Sequence, residues 1–202
     1  MGSSSDATPT CDFPIVCLAA SAGGLGAYKD ILGQIPARTG MAFIIVSHRG
    51  LDHVRLFPSL LERVSAMPVT DIEDGIVLEP NQVFVALPQT QITTDGIVLY
   101  SRTAARRSLG WPVNISAFLF SLAKTCKARS VAVILSGMGH DGSDALSSIK
   151  ARGGLVFAQS DAAYESMPDS AHDTGNVDHM LTAVGIGRHL AGMNRDLTIR
   201  LG

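Results

Sequence analysis

A chain of 202 residues with 46% hydrophobic and 17% charged side chains has the composition of one globular domain with a substantial core, not of a disordered chain. Its formal net charge of −2 supplies no overall basic field and argues against nucleic acid or an anionic membrane as partner. No stretch of about 18 apolar residues, the length a membrane helix needs, occurs. Residues 1–10 lack the basic and apolar regions of a secretory signal, so they are expected to form a disordered lead-in. The three cysteines, Cys11, Cys17 and Cys126, form no C-x-x-C pair; their odd number speaks against a disulfide framework and for a reducing, cytoplasmic setting.

The first element in chain order is Ile15–Ala20, an apolar run suited to a central strand of a parallel sheet. Ser21, Ala22, Gly23 and Gly24 then predict a tight turn, and Leu25–Leu32 a helix closed by Gly33. Met41–Ser47 predicts a second buried strand, followed by a helix around Leu56–Val64; this alternation is the mark of right-handed parallel crossovers. Gln82–Leu87 and Gly96–Tyr100 read as a small antiparallel hairpin, and Ser101–Leu109, with Arg102, Arg106 and Arg107, as an exposed loop. Ser116–Lys127 has helical spacing. Val131–Leu135 predicts a strand, Gly137–Gly142 a turn, Ser143–Arg152 a helix and Leu155–Gln159 another strand. A turn at Met167 and Pro168, a short element near Val177–Leu181 and a helix from about Arg188 complete the chain. The expected fold is a doubly wound, mostly parallel α/β/α domain with a small antiparallel excursion. It spans 13–194, between a lead-in over 1–12 and a tail over 195–202.

Three polar residues share one structural address. Ser21 follows the first strand, His48 the second, and Asp141 lies in the loop after the VAVIL strand. Loops at the carboxyl ends of parallel strands converge on one edge of the sheet, where ligands bind. A serine hydroxyl is a weak nucleophile near neutral pH. An imidazole must remove its proton, and a carboxylate must orient that imidazole. Gly23 and Gly24 permit a sharp turn that frees backbone N–H groups for a developing oxyanion; Ala22 is the first candidate donor and Met138, in the later glycine-rich loop, the second. Each residue also has a plain structural reading: Ser21 as a helix cap or anion-binding turn, His48 as a strand-end residue, Asp141 as a turn residue. On the residues alone both readings stand.

Other chemistries lack their signatures. The G-x-S-x-G elbow is absent, since alanine holds the first position at Ala19, and the order serine, histidine, acid differs from that of α/β-hydrolases. No G-K-[ST] closes the first loop, and Gly23, Gly24 and Gly26 are misspaced for a dinucleotide fingerprint. His53, His140, His172, His179 and His189 show no metal-ligand spacing, so neither a metal nor a cofactor is assigned.

At these residues the sequence resembles the CheB family of chemotaxis receptor methylesterases. The matching blocks are Ala20–Gly24, the strand ending at His48, Leu78–Gln82 with Val83–Val85, Leu135–Gly142, and Ala158-Gln159 with Met167-Pro168. Thr39–Phe43 is similar to the esterase module of CheB–CheR fusion proteins. The resemblance implies Ser21 as nucleophile, His48 as general base and Asp141 as orienting acid. It implies hydrolysis of glutamyl methyl esters on the cytoplasmic helices of methyl-accepting chemoreceptors, releasing methanol, with deamidation of receptor glutamines by the same machinery. A CheR-type methyltransferase is the further partner it implies. The family's receiver domain is not expected ahead of this esterase region. Ala22 stands where relatives often carry threonine, and Asn114 where many carry aspartate, a position it fills as a helix cap. Because receptor methylation helices are acidic, Arg49, Arg102, Arg106 and Arg107 read either as a docking rim or as a solvated basic loop. The alternative to an esterase is a catalytically silent binding module of the same fold.

Overall fold

The computed structural model describes residues 11–47, 57–103 and 114–200, with side chains described only as far as 193. Expectations resting on 1–10, His48, Arg49, His53, Arg106 and Arg107 lie outside the described residues. In chain order the elements are β1 (Ile15–Ala20), α1 (Gly24–Leu32), β2 (Ala42–Ser47), α2 (Phe57–Glu62), β3 (Val69–Asp71), β4 (Ile76–Val77) and β5 (Gln82–Val85). Then come β6 (Thr90–Thr94), β7 (Val98–Thr103), α3 (Asn114–Cys126), β8 (Ser130–Ile134), α4 (Leu146–Ala151), β9 (Leu155–Gln159), α5 (Ser166–Asp173), β10 (His179–Leu181) and α6 (Ala183–Arg200).

Seven strands make one sheet in the order β10-β9-β8-β1-β2-β5-β3, and each neighbouring pair is parallel. Every residue of β1 is buried, because the strand has neighbours on both edges and layers over both faces. Its side chains alternate between two cores, as a period of two requires. Ile15, Cys17 and Ala19 join Phe118, Leu119 and Leu122 of α3, Leu146 and Ile149 of α4, and Met167 of α5. Val16, Leu18 and Ala20 join Tyr28 and Ile31 of α1, Leu61 of α2, and Ile186 and Leu190 of α6. This is the expected three-layer α/β/α arrangement.

The antiparallel excursion exists, with different membership. Gln82–Val85, expected to pair with Gly96–Tyr100, instead lies in the parallel sheet between β2 and β3. The physical reason is burial on both pleat faces: Phe84 enters one core while Val83 and Val85 enter the other, which a two-stranded excursion could not satisfy. The antiparallel sheet is β4-β7-β6, and Thr90–Thr94 is the true hairpin partner of Val98–Thr103. Residues 101–103 of the expected loop are thus strand; 104–109 lie outside the described residues.

Three local expectations also change. Met167 and Pro168 sit in the first turn of α5, where a proline lacks no needed donor. The predicted helix over Ser143–Arg152 divides into a 3-10 turn, Ser143–Ala145, and α4. The closing helix begins at Ala183 rather than Arg188, since Thr182 caps it by accepting the Gly185 N–H on its hydroxyl at 3.1 Å and the Ile186 N–H on its carbonyl at 2.8 Å.

From β1 the chain winds outward through β2, then crosses to the other flank of β1 for β8, β9 and β10. The winding therefore reverses between β1 and β8, and the crevice at their carboxyl ends is where such sheets place ligands. The loops opening there begin at Ser21 and Leu135.

Candidate active site

Ser21 is the first residue beyond β1 and is only 6% exposed. Its N–H donates to the Ser136 carbonyl at 3.0 Å, and its own carbonyl accepts the Gly24 N–H at 3.2 Å. The hydroxyl is different: among the described residues, Ser21 Oγ is buried without a hydrogen-bond partner. An unmade hydrogen bond at a buried polar atom costs about 1–3 kcal/mol, so such groups need a reason. Asn114 Oδ1 and Ser143 Oγ, on the segments around Asp141, share this condition.

The loop after β8 lies directly over Ser21. A β-carbon built on Gly137 would stand 3.0 Å from Ser21 Cβ and 2.1 Å from Met167 Sδ, so the glycine lets the loop pack against Ser21 without displacing either neighbour. Gly137 is pinned there by donating its N–H to the Tyr164 carbonyl and accepting the Met167 N–H, both at 3.0 Å. Gly23, at φ 77°, turns the chain in the left-handed region. Among the described residues, the N–H groups of Ala22 and Met138, the expected oxyanion donors, donate to no protein acceptor.

Asp141 has a role that its sequence context did not announce. One carboxylate oxygen accepts the N–H groups of Asn114 and Ile115, both at 3.1 Å, and the other accepts that of Ser116 at 3.0 Å. Three of the donors that a helix start leaves without intrahelical partners are thereby met by one distant carboxylate, beside the positive end of α3. Ser116 reinforces the junction by donating its hydroxyl to Asp144 and accepting the Gly142 N–H at 2.8 Å. Asn114, expected to cap α3 with its own side chain, is instead the helix's first residue, and Asp141 supplies the cap. The Asp141 charge also reaches Cys17 on the underlying strand, whose thiol is pushed up chiefly by burial and secondarily by this carboxylate.

Of the trio, the structure carries Ser21 and Asp141 to the same end of the sheet. The third strand end is β2, whose Ser47 pairs with Ala20, the residue before Ser21; His48 itself lies outside the described residues. His140 is exposed beside Asp141. His179 and His189 lie with their rings 4.7 Å apart and both against Phe157, a packing role. Burial, and then the neighbouring His179, hold the His189 imidazole below its ordinary value. Among the described residues no group of three or more metal-ligating side chains gathers. Arg102 stands on β7 opposite Gln91, and the two help line a pocket of about 300 Å³ with Thr93 and Tyr100. Sequence reasoning overlooked Ser136, which lies within the block Leu135–Gly142 and is 1% exposed. A polar residue directly after a buried strand and before a glycine was the available signal.

Comparison with known proteins decides the family, because the CheB methylesterase profile matches residues 16–190, most of the chain. The chain belongs to the CheB methylesterase family. A protein-glutamate methylesterase/protein-glutamine glutaminase of Anaeromyxobacter dehalogenans is 33% identical to it over 181 residues, 88% of this chain and 53% of that protein. A second protein of that description, from a group 3 operon of Rhizobium meliloti, is 32% identical over 199 residues, 94% of this chain and 55% of its own length. An uncharacterized 104.1 kDa protein of Rhodobacter capsulatus is 39% identical over 135 residues, 66% of this chain but 14% of that protein. The chain therefore spans about half the length of the two methylesterases and less of the third. The CheB methylesterase catalytic domain of Thermotoga maritima superposes with a TM-score of 0.82, covering 90% of this chain and 98% of that one at 24% identity, and shares its fold. Among the described residues no helix is long and apolar enough to cross a membrane.

Proposed function

We propose that this CheB-family domain, spanning 13–194, is a cytoplasmic serine esterase. It removes methyl esters from glutamate side chains on the cytoplasmic helices of methyl-accepting chemoreceptors. The observation that carries the reading is Ser21 Oγ: a hydroxyl buried without a hydrogen-bond partner among the described residues, at the winding reversal of the sheet, under the Gly137 backbone. Ser21 Oγ attacks the γ-carbonyl carbon while His48 takes its proton. The tetrahedral oxyanion is held by the N–H groups of Ala22 and Met138. Collapse breaks the bond to the methoxy oxygen, which leaves as methanol with the proton from His48. Water then repeats the sequence on the acyl-serine, restoring glutamate and the free hydroxyl.

Asp141 orients the imidazole in this scheme. A carboxylate offers about four lone-pair positions, so capping α3 does not exhaust what Asp141 can accept. The cap in turn makes the carboxylate rigid, as a group that orients another must be. The same acyl transfer serves a glutamine amide, with ammonia as leaving group, and relatives named protein-glutamine glutaminase support that second activity. A CheR-type methyltransferase is the partner that would supply the ester.

Methanol release from methylated receptor should occur with the wild-type chain and vanish with Ser21→Ala, and His48→Gln should act alike. An unimpaired Ser21→Ala chain removes Ser21 from the nucleophile role. A wild-type chain that neither releases methanol nor reacts with a fluorophosphonate is the silent binding module.

A further inference from the structure

Every polar group of Ser136 is engaged around the nucleophile. Its carbonyl accepts the Ser21 N–H at 3.0 Å. Its hydroxyl donates to the Ala22 carbonyl at 2.8 Å and accepts the Tyr164 N–H at 3.0 Å. Its own N–H donates to Gln159 Oε1 at 2.9 Å. The direction of each bond is unambiguous, since a carbonyl cannot donate and an amide N–H cannot accept. Gln159 is held in turn: its Nε2 donates to Asp161 Oδ1 at 3.0 Å, and the same oxygen accepts the Ala183 N–H at 3.0 Å at the start of α6. The Ser21–Ala22 turn is thus tied through one buried side chain to β9 and α6.

The turn is shaped around that hydroxyl. A β-carbon on Gly23 would stand 2.7 Å from Ser136 Oγ, so the glycine leaves room for it. With the Ser21 N–H and the Ala22 carbonyl both held by Ser136, rotation of the second of these two residues is restrained. That residue, Ala22, carries an N–H with no protein acceptor among the described residues.

We propose that Ser136 is a positioning residue for ester hydrolysis: its hydroxyl, by gripping the Ala22 carbonyl, keeps the Ala22 N–H aimed at the developing oxyanion. This rests on Ser21 as nucleophile and adds to that reading the part that orders the oxyanion donor. Ser136 does not touch the substrate. It acts through Ala22, and its loss misaligns a donor rather than deleting one. Ser136→Ala should therefore lower kcat by about 10- to 100-fold, short of the 10²–10³ lost when an oxyanion donor is removed outright. KM should stay within about threefold, because a group acting only in the transition state leaves ground-state binding alone.

The test is active-site titration with a fluorophosphonate on the full chain, read as the number of reactive serines and the rate constant per serine, alongside methanol release. The expected result for Ser136→Ala is full stoichiometry with a slower rate per site, and an intermediate rate for Ser136→Cys, whose slightly larger side chain keeps a weak donor. Fewer reactive sites at an unchanged rate per site would mean a purely structural role and overturn the proposal. Should Ser136→Ala fail to fold, Ser136→Cys is read by the same two numbers. A wild-type chain that neither titrates nor turns over overturns the nucleophile assignment and this role together, whereas an active wild type with unaffected variants overturns this role alone.

Discussion

Gly137 and Ser21 meet so closely that a single methyl group on the glycine would stand 3.0 Å from the Ser21 β-carbon. The same methyl would stand 2.1 Å from Met167 Sδ, at the flexible end of a side chain that can shift. Ser21 Cβ cannot move without its backbone. Gly137→Ala should therefore destabilise the fold by about 1–3 kcal/mol, as overpacking does. It should also lower kcat about 10-fold or more, since a displacement near 1 Å at a reacting centre can cost 10²-fold. Thermal denaturation and methanol release measure the two effects separately. Unchanged activity would mean that the loop over Ser21 yields freely.

Ser21→Ala should change stability by no more than about 1 kcal/mol, because among the described residues the buried hydroxyl it removes makes no hydrogen bond. Activity should be lost altogether. Urea denaturation checks the size: a loss above about 1 kcal/mol would show that the hydroxyl makes a native hydrogen bond after all.

Asp141 variants should fail in two ways at once. Asp141→Ala removes the acceptor for three N–H groups of α3 and should destabilise by about 2 kcal/mol or more, combining a lost cap with orphaned donors. Asp141→Asn keeps one carbonyl oxygen for the cap and should retain part of that stability, while losing activity comparably, because it cannot stabilise an imidazolium. Equilibrium unfolding beside turnover separates the roles; equal stability of the two variants would argue against the cap.

Stability should fall on the alkaline side. An unfolded thiol ionises near pH 8.5, whereas burial, with the Asp141 carboxylate behind it, pushes Cys17 up in the native chain. The stabilisation is complete below about pH 8.5 and is lost as pH rises, at about 1.4 kcal/mol per pH unit for one group. Tyr28, also pushed up by burial, adds a second slope above about pH 10. Cys126 is raised first by its hydrogen bond with Cys11 and then by burial, but the same bond lowers Cys11, so the two thiols of this pair act in opposite directions. Cys17→Ala should reduce the fall between about pH 8.5 and 10 without abolishing it. Urea midpoints measured across that range decide, and an unchanged slope would show that the native thiol ionises as readily as an unfolded one.

The central strands were legible in the sequence because burial on both faces writes itself as an unbroken apolar run. Ile15–Ala20 and Leu155–Gln159 match their strands end to end for that reason. The crevice followed, since in a parallel sheet the residues after each strand must share one edge, which brings Ser21 and the Leu135–Asp141 loop together. What composition and spacing could not decide was pairing between distant segments. Gln82–Val85 has the same local character whether it joins a hairpin or the parallel sheet, and only burial against two cores chose the sheet. Asp141 as the cap of α3, and Ser136 as the anchor of Ala22, are likewise bonds between segments far apart in the chain. Backbone donors and acceptors are alike at every residue, so sequence names no partner for them. Close packing does, by leaving each buried group only the neighbours that the fold brings within about 3 Å.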